Sequence, residues 1–147
     1  MKNKIHLWFF LIIVLNSCTE TEDKSTIIFK DYLQKEFNSE IPESLHYYIL
    51  IPKMLCTGCS VNSLAEINKL ITGETESHFT FISTNEKFAL SELKRVKFYE
   101  YDSRGKLDEL DLDIANITIV KTRSGKVLFI KPIYADEKRP ISEIITF

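Results

Sequence analysis

The sequence predicts a small α/β domain, built on a central mixed sheet of four to five strands with helices on both faces. Three observations carry that expectation. β-Favouring runs at 46–51 and 79–83 alternate with segments whose apolar residues recur at helical spacing. Two further β-runs, 116–120 and 126–130, flank Thr122-Arg123-Ser124-Gly125, the pattern of a hairpin. The four glycines and four prolines are too few for a long disordered or collagenous stretch.

The elements follow in chain order. Between Thr26 and Phe37, Ile28/Phe29, Tyr32/Leu33 and Phe37 fall near one face of a helix, with Ser25 or Thr26 as its cap. His46-Tyr47-Tyr48-Ile49-Leu50-Ile51 is almost continuously β-favouring and bounded by Pro52, as expected of a central strand buried on both faces. After Cys56-Thr57-Gly58-Cys59-Ser60, the residues Val61, Leu64, Ala65, Ile67, Leu70 and Ile71 make a second helical stripe that stops at Gly73. A strand at 78–83 precedes a short helix from Phe88 to Val96 with Leu90 and Leu93 inward, then a short alternating strand at 97–101 that ends at Asp102-Ser103-Arg104-Gly105. The hairpin has Gly125 at a positive-φ position, and Pro140 opens a last short helix with Ile141, Ile144 and Ile145 on one side.

Not all 147 residues belong to this domain. In 1–17, Lys2 and Lys4 precede an apolar run from Leu7 to Leu15, too short for a comfortable permanent span of about 20 residues and laid out as a secretion signal. Leu15-Asn16-Ser17-Cys18 resembles the lipobox of bacterial lipoproteins, which implies cleavage before Cys18 and its acylation. Stable anchoring needs more than one acyl chain, in keeping with such a site. An ordinary cleaved signal and a retained anchor are the alternatives. The division expected is therefore a signal at 1–17, an acylated cysteine and polar tether at 18–24, and one domain at 25–147, lipid-anchored in the bacterial cell envelope at its periplasmic face or surface.

Charge narrows the partners. The net charge of −2 becomes −4 without Lys2 and Lys4, because the leader contains no Asp or Glu. That sign gives no electrostatic basis for nucleic-acid binding. Neither a phosphate-cradling glycine loop nor a serine elbow is present in the sequence.

Cys56 and Cys59 are the sharpest chemical feature of the domain. Two cysteines with two residues between them, at a strand-to-helix junction, can close a small disulfide ring, and the free amides of the helix start stabilise the thiolate of the first. Cys56 would attack a partner disulfide, and Cys59 would resolve the mixed disulfide. A structural disulfide is an alternative, since oxidised pairs persist in exported proteins. A zinc or copper site is another, which would need further ligands such as His46, His78 or carboxylates. Both histidines read more simply as strand-end residues near the surface. The aromatic pairs Tyr47/Tyr48 and Phe79/Phe81 read as core, and Asp108-Glu109-Leu110-Asp111-Leu112-Asp113 as a solvated connector, because it lacks the spacing of an EF-hand loop.

The strand at 46–51, Cys56-Thr57-Gly58-Cys59, the helix at 61–71, the strand at 79–83 and the Ile117-Thr118-Ile119-Val120 hairpin together resemble the thioredoxin-like superfamily, over about 25–147. The likeness is greatest to anchored thiol-disulfide oxidoreductases and peroxiredoxin-like proteins of bacterial envelopes. It implies exchange with envelope protein thiols or a small disulfide, an electron-transfer partner, and no cofactor. It also implies that Leu55, Thr57 and Gly58, with Ile117 and Thr118, form the substrate-facing loops. Thr118 matches the threonine of the family's X-cisPro-Thr segment, whereas the proline position falls on Ile117, which is expected to be trans because a non-proline cis bond costs about 2.5–4 kcal/mol. The strand before the motif has none of the buried carboxylates common in the family; Glu66 and Glu100 are the residues that could stand in for one if folding brings them close.

Overall fold

The computed structural model describes residues 22–54, 57–85, 98–134 and 139–147, with the backbone alone at 57–60. In chain order the elements are α1 (Lys24–Phe37), β1 (His46–Ile51), α2 (Thr57–Leu70), a 3-10 turn (Glu76–His78), β2 (Phe79–Ser83), β3 (Tyr99–Tyr101), a second 3-10 turn (Lys106–Glu109), β4 (Ile117–Arg123), β5 (Lys126–Ile133) and α3 (Ile141–Ile144). The five strands make one mixed sheet in the order β3-β2-β1-β4-β5. β1, β2 and β3 run parallel, and β4 is antiparallel to both β1 and β5.

β1 is buried along its whole length, which is why it reads as an unbroken apolar run rather than an alternation. Its pleat sends Tyr47, Ile49 and Ile51 to one face, where they pack with Leu64, Ile67 and Ile71 at the α2 side and with Ile141, Ile144 and Ile145 around α3. Tyr48 and Leu50 face the other way, against Phe29, Tyr32 and Leu33 of α1. Two cores thus lie on opposite faces of one sheet, and burial of each such side chain contributes about 1.5–3 kcal/mol. Tyr47, Tyr48, Phe79 and Phe81 all lie within these cores.

Some sequence expectations move. α1 begins at Lys24, within the segment assigned to the tether, because the Asp23 side chain accepts from Ser25 N and caps it. Thr26 is no cap: it is buried and its hydroxyl accepts from Val127 N at 3.0 Å, tying α1 to β5. α2 opens at Thr57, within the cysteine loop, so the helix includes the motif's last three residues as well as the apolar stripe up to Leu70. Val61, expected on the apolar stripe, is 36% exposed, and Ala65 also faces solvent. The hairpin turn has both Ser124 (φ 53°) and Gly125 (φ 68°) in the left-handed region, the geometry that matches the twist of paired strands. The helix expected from Phe88 to Val96 lies outside the described residues.

Candidate functional site

Sheet register brings two of the singled-out segments to one end of the molecule. β1 leaves the sheet after Ile51, which pairs with Ser83 at the end of β2, while Leu50 pairs with Thr118 at the start of β4. Because β1 and β2 are parallel, α2 must cross back over the sheet, so it starts at the end where β1 exits. Thr57, Gly58 and Cys59 form the first turn of α2 by their backbone. Ile117 and Thr118 open β4 at the same end. Cys18, Leu55 and Cys56 lie outside the described residues, as do the side chains of Thr57 and Cys59.

The segment beside β1 differs from a loop that presents side chains. Ile117 is 1% exposed and Thr118 fully buried, so both side chains belong to the protein interior. The bend before them is made by Asn116 at φ 52°, a conformation Asn tolerates better than most residues. Thr118 closes it: Oγ1 donates to Ala115 O at 3.0 Å and accepts from Ala115 N at 3.3 Å. Among the described residues no peptide bond is cis, that of Ile117 included.

The strand exit is fixed from two sides. Thr84 N donates to Ile51 O at 3.2 Å, Pro52 is buried, and Lys53 N donates to Asp108 Oδ1 at 3.0 Å. Met54, the next residue toward the cysteines, is 88% exposed. The tract 108–113 is therefore more than a solvated connector, since Asp108 supports the exit, Leu107 just before it is fully buried and Asp111 pairs with Lys24.

Sequence reasoning missed the buried carboxylate of Asp102. Its oxygens accept from Leu107 N at 2.6 Å, Tyr32 OH at 3.1 Å and Arg104 N at 3.1 Å. Burial, reinforced by the Asp102 charge, pushes the Tyr32 phenol up, so it stays a protonated donor. The only sequence signal was a turn-forming Asp three residues before Gly105, whose φ of 67° completes the turn. Glu66 and Glu100 are both exposed, so neither supplies a buried carboxylate.

The histidines lie elsewhere. His46 opens β1 and His78 immediately precedes β2, at the end of the sheet away from the start of α2. Six residues of strand separate the two ends by about 17 Å. Contrary to the surface position expected, His46 is buried, with Nε2 sharing a hydrogen bond with Thr80 Oγ1 at 2.9 Å. Burial first, and the facing His78 second, lower its pKa to about 4. His78 Nδ1–H donates to Leu45 O at 2.9 Å. Among the described residues, no group of three or more His, Cys, Asp or Glu is placed to hold a metal ion. Among them, too, no helix is long and apolar enough to cross a membrane.

No family model, no curated protein and no solved structure matches this chain. The described residues form a small α/β domain with a five-stranded mixed sheet flanked by helices.

Proposed function

We propose that the chain is a lipid-anchored thiol-disulfide exchange protein of the bacterial cell envelope with a thioredoxin-like domain. Cys18 is the lipid attachment site, Cys56 the nucleophile and Cys59 the resolving thiol. One observation carries the reading most: α2 starts at Thr57, so the pair straddles the beginning of a 14-residue helix that directly follows the central strand. Free backbone N–H groups at such a start favour a thiolate at the residue just before it, which is Cys56. The order of connections adds support, with a parallel strand-helix-strand unit followed by an antiparallel pair whose first strand lies beside β1.

In the cycle, the Cys56 thiolate attacks one sulfur of a partner disulfide and releases the other as a thiolate. Cys59, deprotonated, then attacks Cys56 of the mixed disulfide, freeing the second partner thiol and leaving a Cys56–Cys59 disulfide. The domain gains the oxidised pair and the partner gains two thiols; the reverse sequence oxidises a partner. Partners of this chemistry are envelope protein thiols or a small disulfide, with a further electron-transfer partner to reset the pair. A redox titration of the full chain should give a reversible two-electron couple at roughly −120 to −270 mV. A folded, reduced protein whose Cys56 does not react with disulfides or alkylating reagents refutes the exchange reading.

The second reading is a non-enzymatic thioredoxin-like binding or assembly domain with Cys56–Cys59 as a structural disulfide. It is favoured by Ile117 at the family's proline position and by the solvent exposure of Glu66 and Glu100. Metal handling through Cys56 and Cys59 would need ligands other than His46 and His78, given where those two lie.

A further inference from the structure

We propose that the surface around the first turn of α1 rests on the zwitterionic headgroups of the bilayer that holds Cys18. This depends on the lipid-anchor part of the reading above and adds which face of the domain meets the membrane. Glu22, the first described residue, comes four residues after Cys18, and that span of chain reaches about 14 Å when fully extended. The domain is wider than its tether: at about 4.8 Å per strand spacing, the sheet alone measures about 19 Å from β5 to β3. α1 starts at the β5 edge, where Thr26 Oγ1 accepts from Val127 N at 3.0 Å. An acylated Cys18 therefore keeps this edge beside the lipid and β3 away from it.

Two aliphatic side chains stand out of that edge. Ile27 and Leu128, each 53% exposed, directly follow the hydrogen-bonded pair Thr26 and Val127. The exposure of Leu128 has a backbone cause. β5 passes from Val127, opposite Thr122, to Phe129, opposite Lys121, so Leu128 is the extra residue of a bulge and has no partner on β4. In water the exposed parts of these side chains add nothing to the core, whereas at the boundary between headgroups and acyl chains they gain an apolar surrounding. A contact this small suffices, because the anchor makes it intramolecular and holds the lipid at high effective concentration. Charge selects the lipid. Acidic side chains outnumber basic ones in the grooves beside Ile27 and Leu128, with Glu22, Asp23, Asp111 and Asp113 set against Lys24 and Lys30. An anionic bilayer repels such an edge and a zwitterionic one does not.

Tryptophan introduced at the edge reads its depth in the membrane. The acylated Leu128→Trp protein is reconstituted in phosphatidylcholine vesicles whose acyl chains are brominated just below the headgroups, beside Tyr101→Trp, which marks the β3 edge; the parent supplies the background. Leu128 and Tyr101 are both exposed, and both variants are expected to keep the parent's thermal melt. Leu128→Trp is expected to be quenched roughly twofold more than Tyr101→Trp, and to lose that excess when Ile27→Glu is added or when phosphatidylglycerol replaces part of the lipid. Equal quenching at the two positions, in chains that float with the vesicles, overturns the docking face and leaves the anchor standing. An excess untouched by Ile27→Glu also overturns it, because tether length alone would then place Leu128, as does an excess that grows with anionic lipid. A dimer in detergent that Leu128→Glu dissolves gives the edge to a second copy and overturns it as well. A parent chain that does not float with the vesicles overturns the lipid anchor, and the docking face with it.

Discussion

Replacing Asp102 with alanine is expected to destabilise the domain by about 4 kcal/mol. The residue is 3% exposed and accepts three hydrogen bonds, from Leu107 N, Tyr32 OH and Arg104 N. Arg104 is exposed, and water replaces the lost acceptor there at little cost. Leu107 N and Tyr32 OH belong to buried residues, and a buried donor left without an acceptor costs about 1–3 kcal/mol. Two such donors give about 2–6 kcal/mol, a fall in Tm of roughly 8–20 °C for a domain of this size. Tyr32→Phe removes one donor with its acceptor still served by the others, at about 1 kcal/mol. The double variant no longer carries an orphaned hydroxyl, so it should be more stable than additivity predicts, by about 1–2 kcal/mol. Urea denaturation followed by circular dichroism measures all four corners of this cycle. A loss below about 1 kcal/mol for Asp102→Ala, or strict additivity, would refute the claim that these donors are sealed from water.

Acid should weaken the fold through His46. Its folded pKa of about 4 lies below the unfolded value of 6.5, so between these the unfolded chain binds a proton that the folded chain excludes. Its contribution is complete above about pH 6.5 and is lost as pH falls toward 4, to a ceiling on the order of 3 kcal/mol. His46→Gln should flatten urea stability across that interval, and an unchanged slope would show that another group is responsible. Cys18→Ser is expected to abolish incorporation of labelled fatty acid and to shift the protein from the membrane to the soluble fraction; retention of both would count against the lipid anchor.

Much of the architecture is legible because it rests on local patterning. The unbroken run at 46–51 announces a strand covered on both faces, and α1 and α2 actually hide Phe29, Leu33, Leu64 and Ile67, which show a 3.6-residue period. Where several residues compete for one role, sequence cannot choose. Asp23, Ser25 and Thr26 are all cap-forming types, and the choice of Asp23 follows from Val127, 101 residues away, engaging Thr26. His46 is buried because Thr80, 34 residues on, satisfies its ring nitrogen, and such a partner leaves no local trace. Asp102 shows in sequence only as a turn former, while its burial depends on Tyr32, 70 residues earlier. The candidate site divides in the same way: the cysteine spacing and the strand before it are visible in the chain, but the hold of Asp108 on Lys53 spans 55 residues and needs the fold.

The central claim is that Cys56 and Cys59 exchange disulfides with a partner. Trapping in the cell envelope tests it most directly, with acid-quenched, alkylated Cys59→Ser chains compared with the parent and with Cys56→Ser. The account predicts a reductant-sensitive adduct on Cys56 in Cys59→Ser, to a protein or a small thiol, that is absent from Cys56→Ser. A Cys59→Ser chain that carries no adduct, beside a parent whose two cysteines stay locked as a disulfide under reducing challenge, would contradict it and leave the pair a structural staple.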